Sequence, residues 1–347
     1  MAELLGLGTT DQPYMRMIDP LISSPLKGAL KSERIPAERK DPKNWPKPMQ
    51  EQWGDDEGAT GGNRARTRQI EQFRKLRAAL DDFKPDFILI WSKDGRESLK
   101  DFAIPQYWIQ GHKETQTKLY TSLGRKENFF GEDADRLVTI PGHQDGAKYL
   151  VKGLVDQGFD PTYSLEPMHQ DGLAHTFKGV AVHLDWDKRQ LATPIVPVSV
   201  DPFGPRQRGQ DGMSPVVATD PRPISPARAF ELGRATARVL RASPYRVALV
   251  AGTGWSHANN TSWERAWVHP DMESDQRRHE EWANNKFRTW GQDFTYEELE
   301  EYGQWELLCW IMLAGAMTEI GAKVAHSDFQ EGWIFNSNWV NTAFTPA

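Results

Sequence analysis

The stretch YRVALVAGTGWSH, residues 245–257, decides the fold reading. Its first seven residues form a short apolar run, the pattern of a strand buried on both faces of a parallel sheet. Gly252 and Gly254 then suit a tight turn at the strand exit. Similar signals recur on either side. Residues 4–10 read as a first strand ending in Gly and Thr, PDFILIW at 85–91 as a second buried strand, and residues 162–165 as a short one. TPIVPVSV at 193–200 is another, and Pro197, with no amide donor, predicts an edge position or a bulge there. Helical signals lie between. Ile70, Phe73, Leu76 and Leu80 share one helical face over 64–82. A helix over 144–157 ends at Gly158, and Ser225 with Pro226 opens one running to about Arg241. Helices are expected within 263–288, and an apolar one over 304–321.

This alternation predicts an α/β protein, a single domain over residues 1–347 with a central mixed, largely parallel sheet flanked by helices. Residues 19–63, rich in Pro, Lys, Trp and Gly, interrupt the pattern and read as an irregular surface excursion. The net charge of -6 comes with no basic block, so a nucleic-acid partner is not expected. The one cysteine, Cys309, lies in an apolar run, which excludes a disulfide framework and a thiolate zinc site. The longest apolar run, 307–317, is too short to span a bilayer, and the amino terminus lacks the pattern of a signal peptide. A cytoplasmic protein without a membrane partner is the expectation. The 14 tryptophans are read as core or interface residues, except Trp255, whose place at a strand exit suits stacking on an aromatic ligand.

In open α/β sheets ligands sit outside the carboxyl ends of strands. Three exits are therefore candidates: residues 8–11, 91–95 and 252–257. Neither a P-loop nor a dinucleotide fingerprint is present.

These same exits carry a resemblance. GLGTTDQP at 6–13 is similar to a G-T-S-H-x-P motif, and PDFILIWSKDG at 85–95 to P-D followed by six residues and N-D-H. GTGWSH at 252–257 resembles G-T-G-G-M-S-H, one residue shorter, and YGQWELLCWIMLAGAM at 302–317 resembles x-G-x-E-x-x-x-W-L-I-M-R-G-A-M. Residues 142–177 follow with a helix, a strand and a loop like D-H-G. Together these motifs resemble the class III extradiol dioxygenase (LigB-like) superfamily over nearly the whole chain. The resemblance implies ring cleavage of a catechol-like aromatic substrate at an Fe(II) held by two His and one Glu, with a further His as acid/base.

Carried over residue by residue, the metal Glu falls on Glu306 and the acid/base on His257. The first metal His falls on Asp11 and the second on Gly95, which has no side chain to ligate with. The loop histidine has no direct counterpart, although His175 stands nearby in Asp171-Gly-Leu-Ala-His175, and His169 just before it. Asp11 and Glu306 are thus the remaining candidate metal ligands. Oxygen-only ligands favour harder cations than Fe(II), so the cofactor is Fe(II), another divalent metal, or none. Without a metal, two carboxylates facing one cavity must share a proton or be neutralised. Lys93 and Arg96 flank the lost ligand and supply candidate positive charge, as well as substrate contacts with Trp255.

Each candidate also has a plainer reading. Asp11 suits a turn, Glu306 a helix N-terminus, and Lys93 a solvated loop. His257 suits proton transfer near neutral pH, or a structural hydrogen bond. Three functional expectations follow. One is an oxidoreductase of the extradiol dioxygenase kind with an altered site. Another is a metal-independent hydrolase or lyase using His257, with Asp11 and His175. The last is a non-catalytic subunit that pairs with an active paralogue. A homo-oligomer or a hetero-oligomer is expected accordingly.

Overall fold

The computed structural model describes residues 2–167, 172–203, 221–261, 265 and 267–347. In chain order the strands are β1 (Leu4–Thr9), β2 (Phe87–Lys93), β3 (Tyr107–Gln110), β4 (Glu114–Lys118), β5 (Leu137–Pro141), β6 (Thr162–Ser164), β7 (Ile195–Val200), β8 (Val247–Ala251), β9 (Val324–Gln330) and β10 (Trp339–Phe344). The helices are α1 (Ser24–Ala29), α2 (Ala37–Lys40), α3 (Lys47–Trp53), α4 (Ala59–Phe83), α5 (Gln144–Asp156), α6 (His175–Leu184), α7 (Pro226–Arg241), α8 (Met272–Ala283), α9 (Trp290–Asp293), α10 (Tyr296–Glu301) and α11 (Leu307–Glu319).

Eight strands form one sheet in the order β6-β3-β7-β2-β8-β1-β10-β9, while β4 and β5 pair separately. The four central strands β7, β2, β8 and β1 run parallel. β10 and β9 add antiparallel to one side of them, and β3 to the other. The expected α/β architecture with a mixed sheet is therefore present. Its centre reads as apolar runs because every residue of β1, β2, β7 and β8 is buried. One core lies between the sheet and α5, α7 and α11, and a second between the sheet and α4 and α6.

Two expectations are corrected. Pro197 lies neither on an edge nor at a bulge: β7 sits between β2 and β3 in unbroken register with β2. Its pairing with β3 stops at Val198, so the proline ring removes no donor that this ladder needs. Residues 19–63 are not irregular. They fold into α1, α2, α3 and the first turn of α4, and Ile22, Leu26, Ile35, Trp45 and Met49 pack with Ile334, Phe335 and Trp339. Short turns punctuated by proline concealed their helical periodicity. Within 263–288 the structure has α8 and a short 3-10 turn, Lys286–Thr289. Trp263 lies outside the described residues. Among the described residues no helix is long and apolar enough to cross a membrane.

Candidate functional site

β2, β8 and β1 are neighbours in the sheet, so the three exits chosen from sequence emerge side by side. Backbone hydrogen bonds tie them together: Gly252 N–H donates to Trp91 O at 2.9 Å, and Asp11 N–H to Thr253 O at 3.3 Å. The start of α11 closes over them and brings in Glu306, which is 1% exposed.

Glu306 is the hub. One carboxylate oxygen, Oε1, ion-pairs with the Lys93 ammonium and lies 3.0 Å from His257 Nε2, off the direction of a good hydrogen bond. The other, Oε2, accepts the Gly254 N–H at 2.6 Å. Burial by itself raises the Glu306 carboxyl, but the neighbouring His257 ring and the Lys93 ammonium bonded to it outweigh that and hold the group well below its usual range. The backbone here has no room for a side chain at Gly254. A Cβ there would stand 2.4 Å from His257 Nε2 and 2.9 Å from Glu306 Oε2.

The His257 ring is held from its other side by Asn336, whose Nδ2 lies 3.1 Å from Nδ1. Asn336 Oδ1 also accepts the Asn259 N–H at 3.0 Å. Asp11 is 2% exposed, and its Oδ1 has no hydrogen-bond partner among the described residues. Burial pushes its carboxyl up to about 6, against the lowering influence of Arg16, His175 and Lys93. Asp11 fits only because residue 179 on α6 is glycine: a Cβ there would stand 1.8 Å from Oδ1.

His175 opens α6. Its ring Nδ1 pairs with Glu97 Oε1, and its backbone N–H donates to the same carboxylate at 3.1 and 3.2 Å. Arg16 Nη2 donates to the His175 carbonyl at 3.1 Å. Thr176 Oγ1 donates to Lys93 O at 2.6 Å, which anchors α6 to the end of β2.

The structure thus brings Asp11, Lys93, His175, His257 and Glu306 to one end of the sheet. It does not place Trp255 there. Trp255 is fully buried, with its ring packed among Trp282, Trp290 and Trp310 and its Nε1 donating to Asp275 O at 3.2 Å. A substrate has no face of this ring to stack on, because the neighbouring tryptophans enclose it in the core. Arg96 extends toward Asp101, 2.5 Å away. Lys93 is not the solvated turn residue of the plainer reading, being 9% exposed. Gly95 takes a left-handed turn at φ 59°. His169 and Asp171 lie outside the described residues.

Arg16, Glu97 and Asn336 were not singled out in the sequence. Each comes from a loop or short turn that carries no periodic signal. Asp275 was missed as well: fully buried, it accepts from Gln304 Nε2 and Asn338 Nδ2, both at 2.7 Å, and from the Ser256 hydroxyl. Burial pushes it up to about 7 despite these bonds.

The donor set of the described residues does not fit a ferrous ion. Among the described residues no three His, Cys, Asp or Glu side chains group so as to hold a metal. The Lys93 ammonium occupies the Glu306 oxygen that a metal would need, and cation repels cation at that distance. Cys309 is buried beneath the site and pushed further up by that burial, so it remains a thiol. Compared with known proteins, the chain matches no family model and no curated protein.

Proposed function

We propose that this chain is a LigB-like α/β enzyme that performs acid–base chemistry, hydrolysis or carbon–carbon cleavage, on a small aromatic molecule without Fe(II). The observation that carries this reading is the Lys93–Glu306–His257 cluster at the carboxyl ends of β2 and β8. A protein ammonium stands in it as counter-charge to the carboxylate, where the resemblance implies a metal.

In this reading His257 takes a proton from a substrate hydroxyl or from water. Asn336 fixes the ring orientation, and Glu306 stabilises the imidazolium that forms. Lys93 keeps Glu306 ionised in a buried setting. Asp11, with its unpartnered oxygen and raised carboxyl, exchanges the second proton with the departing atom. His175, oriented by Glu97, borders the substrate.

The test is a panel of catechols and aromatic keto and ester acids, assayed with chelator or with added Fe(II), while oxygen uptake is followed. Turnover that persists with chelator, consumes no oxygen and disappears in His257→Asn supports the proposal. Turnover that requires Fe(II) and consumes oxygen overturns it and restores ring cleavage.

A second reading, a subunit that pairs with a paralogue or with itself, draws on an apolar groove of about 400 Å³ between α5 and the edge strand β6, where Val155, Tyr163 and Leu165 are exposed. Size-exclusion chromatography with light scattering, before and after Val155→Lys, checks it.

A further inference from the structure

Beside the His175–Glu97 pair lies a cleft of about 620 Å³ whose charged lining is Arg96, Lys100, Lys118, Lys178 and a single acid, Glu97. Glu97 is already engaged by the ring and backbone of His175. Two of the cations are also engaged, Arg96 with Asp101 and Lys118 with Asp135. Lys178 differs. It is 8% exposed and lines the cleft; its backbone N–H donates to Ala174 O at 3.1 Å, while its ammonium has no hydrogen bond or ion pair among the described residues. It stands three residues after His175 on α6, so the two share a helix face. Asp11 and Glu97 act on its charge from nearby and Arg16 opposes them, but neither carboxylate bonds to it. Its unpartnered ammonium faces the cleft, where an anion would give it a charge-assisted hydrogen bond. Gln116 in the same wall offers a neutral amide donor.

We infer that this cleft receives an oxyanion of the substrate, a carboxylate or a phosphate, with Lys178 as its principal counter-charge and Lys100 at the mouth. This deepens the proposed function and rests on it, since it makes the small aromatic molecule an acid whose anionic group is anchored one helical turn from His175.

The experiment is isothermal titration of the full chain with benzoate and with inorganic phosphate at constant ionic strength. One of the two binds saturably, and which one names the anion. Lys178→Met weakens binding roughly tenfold or more, the usual loss for a charge-assisted hydrogen bond, and Lys178→Arg retains most of it. Lys100→Gln, an exposed and readily tolerated change, weakens it a few-fold and serves if Lys178→Met does not fold. His257→Asn leaves anion binding intact, so failure of the catalytic reading is separable from failure of this one. Absence of binding by both probes, or equal affinity in the wild type and the folded Lys178 and Lys100 variants, overturns the assignment.

Discussion

Lys93, the last residue of β2, ion-pairs with Glu306, the cap of α11, across 213 positions of sequence. The pair is buried, and its partners come from elements that meet only in the finished sheet. Removing one partner leaves an uncompensated charge in the interior. Lys93→Met is therefore expected to destabilise the protein by about 3–5 kcal/mol. The double variant Lys93→Met/Glu306→Gln recovers much of that loss. Urea unfolding of the wild type, both single variants and the double variant measures the coupling, and additive losses would contradict it.

Gly254 is the point where backbone, imidazole and carboxylate approach most closely. Gly254→Ala is expected to displace His257 or Glu306 and to cost about 1–3 kcal/mol, the range for overpacking. Because the displaced groups are those assigned to catalysis, turnover falls far more than the melting temperature does. Parallel assays of activity and thermal unfolding check this, and an active Gly254→Ala variant would contradict the geometry.

His257 and Asn336 act in sequence in the proposed mechanism. His257→Asn is expected to lower kcat by roughly 10²- to 10⁴-fold, the usual contribution of a positioned acid–base group. Asn336→Ala is expected to lower kcat less, with KM nearly unchanged, because Asn336 touches the ring and not the substrate. Steady-state kinetics on whichever panel compound turns over separates the two effects.

Asp275 sets a pH dependence of stability. Its folded-state value, about 7, lies above the unfolded value of 3.8, so the folded state binds the proton more tightly. The stabilisation is complete below 3.8 and is lost as pH rises toward 7, at up to about 1.4 kcal/mol per pH unit. Asp11 adds a similar contribution between 3.8 and about 6. Melting temperatures measured from pH 4 to 8 should fall over this window, and Asp275→Asn should flatten the upper part of the slope. An unchanged slope in that variant would remove Asp275 from the account.

The central strands were legible because burial on both faces forces continuous apolar runs, and Val247–Ala251 and Phe87–Lys93 fall where those runs lie. The helices α5 and α7 were legible from Gly158, Ser225 and Pro226, and the Ser225 side chain does accept the Arg228 N–H at 3.2 Å. Strands β3, β9 and β10 were not. Their residues mix polar and aromatic side chains, as in WVNTAF, because buried threonine and asparagine there join hydrogen-bond networks such as Thr9–Asn341–Gln69.

By itself the sequence determined the α/β class and the three strand exits, because these depend on residue type and local periodicity. Only the tertiary structure decided what meets the buried Glu306 carboxylate. Whether Lys93 turns into solvent or onto Glu306, whether Trp255 faces the site or the core, and whether Lys178 keeps a partner all depend on which elements pack together. Charge, burial and hydrogen bonding at those positions come from residues far away in the chain, so no local pattern carries them.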